Sequence, residues 1–228
     1  MTLTQTLKEL KSLGTEQTRK TYGRHGISGD VYGVKYGDLN KLVKRIGTDH
    51  ALALELWETG NHDARVLATM VADPSQTKAG LLDGWAKAID NRLLVDAVAK
   101  LAARVPRADK QTAKWIRSKW EWIGSTGWHL LATRLAVQKE AVDAAELLAY
   151  LRQIEMTIDD SPNEVRYAMN SALIAIGLVS PELEEQALAA AKRIGKVEVD
   201  HGDTSCKTPG AAAYIKKAAA HAAKCRAK

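Results

Sequence analysis

Apolar residues recur along this chain at intervals of three and four. Leu39, Leu42, Val43 and Ile46 make one such stripe, Ala51, Leu52, Leu54 and Trp57 a second, and Ala64, Leu67, Ala68 and Val71 a third. Leu81, Leu82, Trp85 and Ile89 follow, then Leu93, Leu94, Ala97, Val98 and Leu101. That spacing gathers the apolar residues on one face of an α-helix. Gly60-Asn61, Asp73-Pro74 and Pro106 punctuate the stripes as turn or stop signals. Thr48 or Asp49 stands where a side-chain oxygen can cap the second helix, and Ser180-Pro181 opens a later one with proline at its tolerated first position. Asp143 to Glu146 and Ser161 to Glu164 both have the capping-box spacing.

A helix from about Ala108 is expected to carry Trp115, Ile116, Lys119 and Trp122, to break over Gly124 to Gly127, and to resume through Trp128, Leu131, Leu135 and Val137. Alternation of the β type is confined to Lys196–Asp200, too short to build a sheet. Helix starts near 61, 92, 125 and 162 predict a structural repeat of paired antiparallel helices, which is the mark of an α-solenoid. An ordinary helical bundle is the alternative. The expected fold is an all-α helical repeat superhelix, one domain over 1–228 with 196–228 as a C-terminal cap and basic tail.

Composition narrows the class. The 228 residues are 46% hydrophobic and 26% charged, which fits a globular protein rather than a disordered one. No apolar run approaches the ~20 residues of a membrane-spanning helix. The amphipathic start, Met1 to Gly14, lacks the apolar block of a secretory signal. Two cysteines, Cys206 and Cys225, with no paired spacing, argue against a disulfide framework and a zinc site. A cytoplasmic monomer without metal, cofactor or membrane partner is expected, with Cys206 buried.

Charge changes the picture more. The net +6 conceals blocks of +4 over 1–50, −3 over 51–99, +7 over 100–139, −8 over 140–191 and +6 over 192–228. Basic segments gathered on one side would form a surface for a polyanion. Ordinary solvated helix faces are the alternative reading.

Several blocks then carry a resemblance. They are Tyr22-Gly-Arg24-His25-Gly26, Tyr32-Gly33-Val34, Asp49-His50 through Trp57, and Thr59-Gly-Asn-His-Asp-Ala-Arg65 through Ala68. Further on stand Val165-Arg166-Tyr167-Ala-Met-Asn170, Ile194 to Asp200, and Gly202 to Pro209. In order and spacing they resemble the DNA alkylation repair (AlkD-like) family of HEAT-like repeat proteins, from about Tyr22 to Ile215. The resemblance implies a curved stack of paired helices whose basic concave face holds double-stranded DNA, damaged or distorted. It also implies an alkylpurine DNA glycosylase chemistry, in which a carboxylate and aromatic rings stabilise the cationic sugar left as the base departs. A non-enzymatic scaffold for protein–protein interaction is the competing class.

Carried over residue by residue, the resemblance sets Tyr22 near the DNA and Asp96 at the catalytic carboxylate. Where active glycosylases have tryptophans the chain has Arg92 and Ser171, and where they have an arginine it has Leu131, with Arg134 close by. Arg92, Asp96, Lys100 and Arg104 share one helix face, so an exposed ladder of ion pairs is the plainer reading of Asp96. Trp120 and Trp128 are the tryptophans expected against sugar or base, while Trp57, Trp85, Trp115 and Trp122 are expected in the core. Arg24, His25, Arg117, Lys119, Arg166, Asn170 and Lys207 complete the expected DNA contacts, the last within an anion-binding or capping loop over Gly202 to Pro209.

Overall fold

The structure is a computed structural model and describes residues 1–137 and 142–226, the last five by their backbone alone. Lys139, Lys228 and the side chains of Lys224, Cys225 and Arg226 lie outside the described residues, and with them much of the expected basic tail. Among the described residues there are thirteen helices and no strand.

The residues cluster in two compact units, Met1–Ala108 joined by His201–Ser205, and Asp109–Asp200 with the chain from Cys206 onward. The first unit holds α1 (Leu3–Leu13), α2 (Glu16–Arg24), α3 (Tyr36–Ile46), α4 (His50–Glu58), α5 (His62–Val71), α6 (Ala79–Lys87) and α7 (Arg92–Ala102). The second holds α8 (Ala108–Ile116), α9 (Glu121–Val137), α10 (Ala144–Thr157), α11 (Asn163–Ile176), α12 (Pro181–Ile194) and α13 (Ala211–Arg226).

Five helices of the first unit, all but α3 and α6, start where a side-chain oxygen takes up an orphan amide. Asp49, rather than Thr48, accepts from Leu52 N, Asn61 from Ala64 N and Asn91 from Leu94 N. The stripes bury Leu39, Leu42, Leu52, Leu56, Leu67, Leu94, Val98 and Leu101. Trp57 and Trp85 stack with ring centres 4.2 Å apart, and the Arg65 guanidinium lies 5.3 Å from the Trp57 ring.

In the second unit three local expectations are corrected. There is no break at Gly124 to Gly127, because α9 runs straight through them. A Cβ on Gly127 would stand 2.5 Å from Ile116 N, so the glycine answers to the close approach of α8. The chain turns earlier, over 117–120, where Ser118 N bonds to Trp115 O and Ser118 Oγ accepts from Trp120 N. Ser161 does not cap α11. Its hydroxyl donates to Thr157 O, and the Glu121 carboxylate of α9 receives the amide of Glu164 instead. Asp143 does cap α10, but through Ala145 N, leaving Glu146 to accept from the Tyr150 hydroxyl.

The Lys196–Asp200 segment forms no strand. Asn163 at the start of α11 pairs with the backbone of Asp200 at both atoms, donating from Nδ2 to its carbonyl (3.0 Å) and accepting its N–H (2.8 Å). One side-chain amide thus does what a neighbouring strand would have done.

Candidate functional site

In the first unit the polar centre is Asp63, one residue into α5 and 1% exposed. Its carboxylate accepts three successive backbone N–H groups, those of Tyr32 (2.7 Å), Gly33 (3.0 Å) and Val34 (2.8 Å). The loop between α2 and α3 is thereby clamped onto α5, and Asp30 O accepts from His62 N at 2.9 Å to extend the clamp.

Tyr22 belongs to this interior. It is 7% exposed, its hydroxyl donates to Val34 O at 2.7 Å, and burial together with the Asp63 charge pushes its pKa up to about 12. The expectation that its ring faces DNA is therefore corrected: it holds the loop from inside.

His62 packs edge-on against Tyr22, centres 5.3 Å apart, with its Nδ1 3.4 Å from the Asn91 amide. Burial pulls its pKa below the ordinary histidine value, against the pull of Asp63 and Asp90. The unfolded chain therefore binds a proton that the folded chain resists. His62 leaves stability intact above the unfolded value of about 6.5 and erodes it as pH falls below. Chemical denaturation between pH 7.5 and 5 should show that decline, and His62→Gln should flatten it.

The ladder expected on α7 resolves into separate contacts. Asp96 pairs with Lys100 at 2.7 Å, and both side chains stand well out in solvent. Arg92 meets His201 Nδ1 at 2.9 Å, and Arg104 turns to donate to Thr69 O at 3.0 Å. Burial first and the Asp96 charge second raise the Tyr36 pKa far above the usual phenol range, so Asp96 lies within electrostatic reach of α3.

Arg24 and His25 are exposed at the end of α2. A Cβ on Gly202 would stand 3.3 Å from Arg24 O, so the loop 201–205 borders both that helix end and Arg92. This unit brings Arg24, Arg92 and the loop together, with Asp96 one turn along.

The second unit presents Arg117, Lys119 and Trp120 on the turn before α9, all exposed, Trp120 at 63%. Three other expected contacts are corrected. Trp128 is fully buried and lies edge-on to Tyr150 at 5.7 Å. Arg134 is buried, donating to Thr112 Oγ1 at 3.1 Å. Asn170 is fully buried and donates to Pro209 O at 3.0 Å, so with Asn163 two turns before it pins the segment ahead of α13. Arg166 is half-buried. Lys207 is exposed, and so is Cys206, which overturns the buried cysteine expected there. Sequence reasoning missed Asn163, although an Asn at a helix start is the kind of residue that reaches out to backbone.

Among the described residues no His, Cys, Asp and Glu side chains cluster as a metal site, and no helix is long and apolar enough to cross a membrane. The sequence profile of the DNA alkylation repair enzyme family matches residues 6–215. The chain belongs to that family.

Relatives of this DNA alkylation repair family protein include an uncharacterized protein of Listeria innocua, 33% identical over 92% of this chain and 94% of its own length. Another, from Listeria monocytogenes, is 32% identical with the same coverage. Among solved structures, one from a family of proteins related to the HEAT-like repeat DNA glycosylases, with affinity for branched DNA structures, matches at a TM-score of 0.90. It is 30% identical, covering 97% of this chain and 95% of the other. The all-α helical repeat expected from the helix spacing, and HEAT-like by the resemblance, is therefore the fold of this family member.

At the positions where active glycosylases are expected to have aromatic walls, this family member has other chemistry. Arg92 engages His201, and Ser171 donates its hydroxyl to Tyr167 O at 3.1 Å. Leu131, at the expected arginine, is fully buried.

Proposed function

We propose that the protein binds double-stranded DNA, preferring branched or otherwise distorted forms, through phosphate contacts from its exposed cations. The observation that carries this reading is the likeness, in sequence and in backbone over nearly the whole chain, to a structure from a family with affinity for branched DNA. Each compact unit offers cations of its own: the exposed Arg24 beside the half-buried Arg92 in the first, the exposed Arg117 and Lys119 in the second. Phosphate contacts of this kind supply affinity and position without reading sequence, which suits a ligand defined by shape.

Base release by the glycosylase route would rest on Asp96 alone. That carboxylate already has a cation 2.7 Å away in Lys100, and the tryptophan walls beside it are replaced. A solvent-exposed carboxylate paired with a lysine and lacking π faces offers little to an oxocarbenium-like transition state. Binding without base release is the activity we expect.

The test compares a four-way junction with a linear duplex of equal length across a salt series. The junction should bind more tightly, and log K should fall steeply with log salt. Arg24→Ala with Arg117→Ala should lower that slope by about 2. Equal affinity for the two DNAs, or a flat slope, would overturn the reading. Release of N7-methylguanine that disappears in Asp96→Asn would restore the enzymatic one.

A further inference from the structure

Trp120 is at odds with the other tryptophans. Trp57, Trp85, Trp115 and Trp128 are each at most 3% exposed and Trp122 is partly covered, whereas Trp120 holds most of its indole in water. It sits on the short 117–120 turn between α8 and α9, whose form is set by Ser118. Arg117 and Lys119 beside it are exposed. The nearest acidic residue along the chain, Glu121, directs its carboxylate to the amide of Glu164 and not to these cations. An exposed indole among cations is unfavourable in water but complements a nucleic-acid base next to its own phosphates.

We infer that Trp120 is a stacking platform for an unpaired base, with Arg117 and Lys119 receiving the adjoining phosphates. Bases of an intact duplex are stacked on one another and closed to it. Bases at a branch point, flap or bulge are open. Trp120 would thus distinguish branched DNA from linear duplex, a role that rests on the DNA-binding reading and assigns its specificity to one side chain.

The full-length protein and its Trp120→Ala, Trp120→Phe and Lys119→Ala variants are titrated with a linear duplex and with the same duplex carrying a flap of unpaired nucleotides. Trp120→Ala should weaken binding of the flap about 5–150-fold, the loss of one stacked base, and change linear binding little. Its salt slope should stay that of the parent, whereas Lys119→Ala should lower the slope by about 1. Trp120→Phe should recover most of the lost affinity. Flap DNA should also quench tryptophan emission in the parent and much less in Trp120→Ala. Unchanged flap binding by Trp120→Ala, or equal weakening on both DNAs, would overturn the stacking role while leaving the DNA-binding reading in place. A parent protein that binds neither DNA at low salt would overturn both.

Discussion

Asp63→Ala should destabilise the first unit by about 3–5 kcal/mol. Three buried or half-buried N–H groups, on Tyr32, Gly33 and Val34, lose their charged acceptor at once. Each bond to a charged group is worth about 1.5–3 kcal/mol net, and water entering the gap can recover only part of the sum. The loop these amides belong to is also tied elsewhere. Thr15 N bonds to Gly33 O, and the positive φ of Gly33 lets it pass where a Cβ would stand 2.7 Å from Thr15 O. Urea denaturation should show the loss as a lower midpoint, and hydrogen exchange at Tyr32, Gly33 and Val34 should quicken before the rest of the unit. Asp63→Asn should recover less than half, since one of its two head atoms is a donor facing donors. A loss below about 1 kcal/mol would mean that water replaces the carboxylate.

Gly127→Ala should be nearly as damaging in the second unit, for a steric reason. The added Cβ would lie 2.5 Å from Ile116 N, 2.7 Å from Trp115 C and 2.9 Å from Trp115 Cβ. Two of those atoms are backbone, so no rotamer change relieves the clash and α8 must separate from α9. Overpacking costs about 1–3 kcal/mol where side chains can shift, and here we expect about 3 kcal/mol or more, read as a fall in Tm. Gly84→Ala on α6 is the control. Nothing lies within 4 Å of its Cβ position, and alanine favours the helix by up to about 1 kcal/mol, so its Tm should rise.

The helices were legible because their signal is local. The stripes through Leu39, Leu52, Leu67 and Leu94 needed only spacing, and Ser180 with Pro181 announced α12 within two residues. Expectations failed where the deciding partner is remote. Asn170 reads as a polar surface residue until Pro209 O is known to lie against it, and Arg134 reads as a phosphate ligand until Thr112 is. Trp128 and Trp120 were indistinguishable by type, and only packing against Tyr150 separated the buried ring from the exposed one. The Gly124 to Gly127 run shows the same ambiguity, because a glycine required for close approach looks like a glycine required for a turn.

The loop 201–205 has a consequence for how the protein is made. It belongs with the first unit, against Arg24 and Arg92, yet it leaves the ribosome only after Asp109–Asp200, the whole second unit but for the α13 segment. Synthesis at about 5–20 residues per second puts it about 5–20 s behind Ala108. Through that interval the nascent first unit stands without its last piece, and the end of α2 and the start of α7 stay open to whatever meets them in the cell.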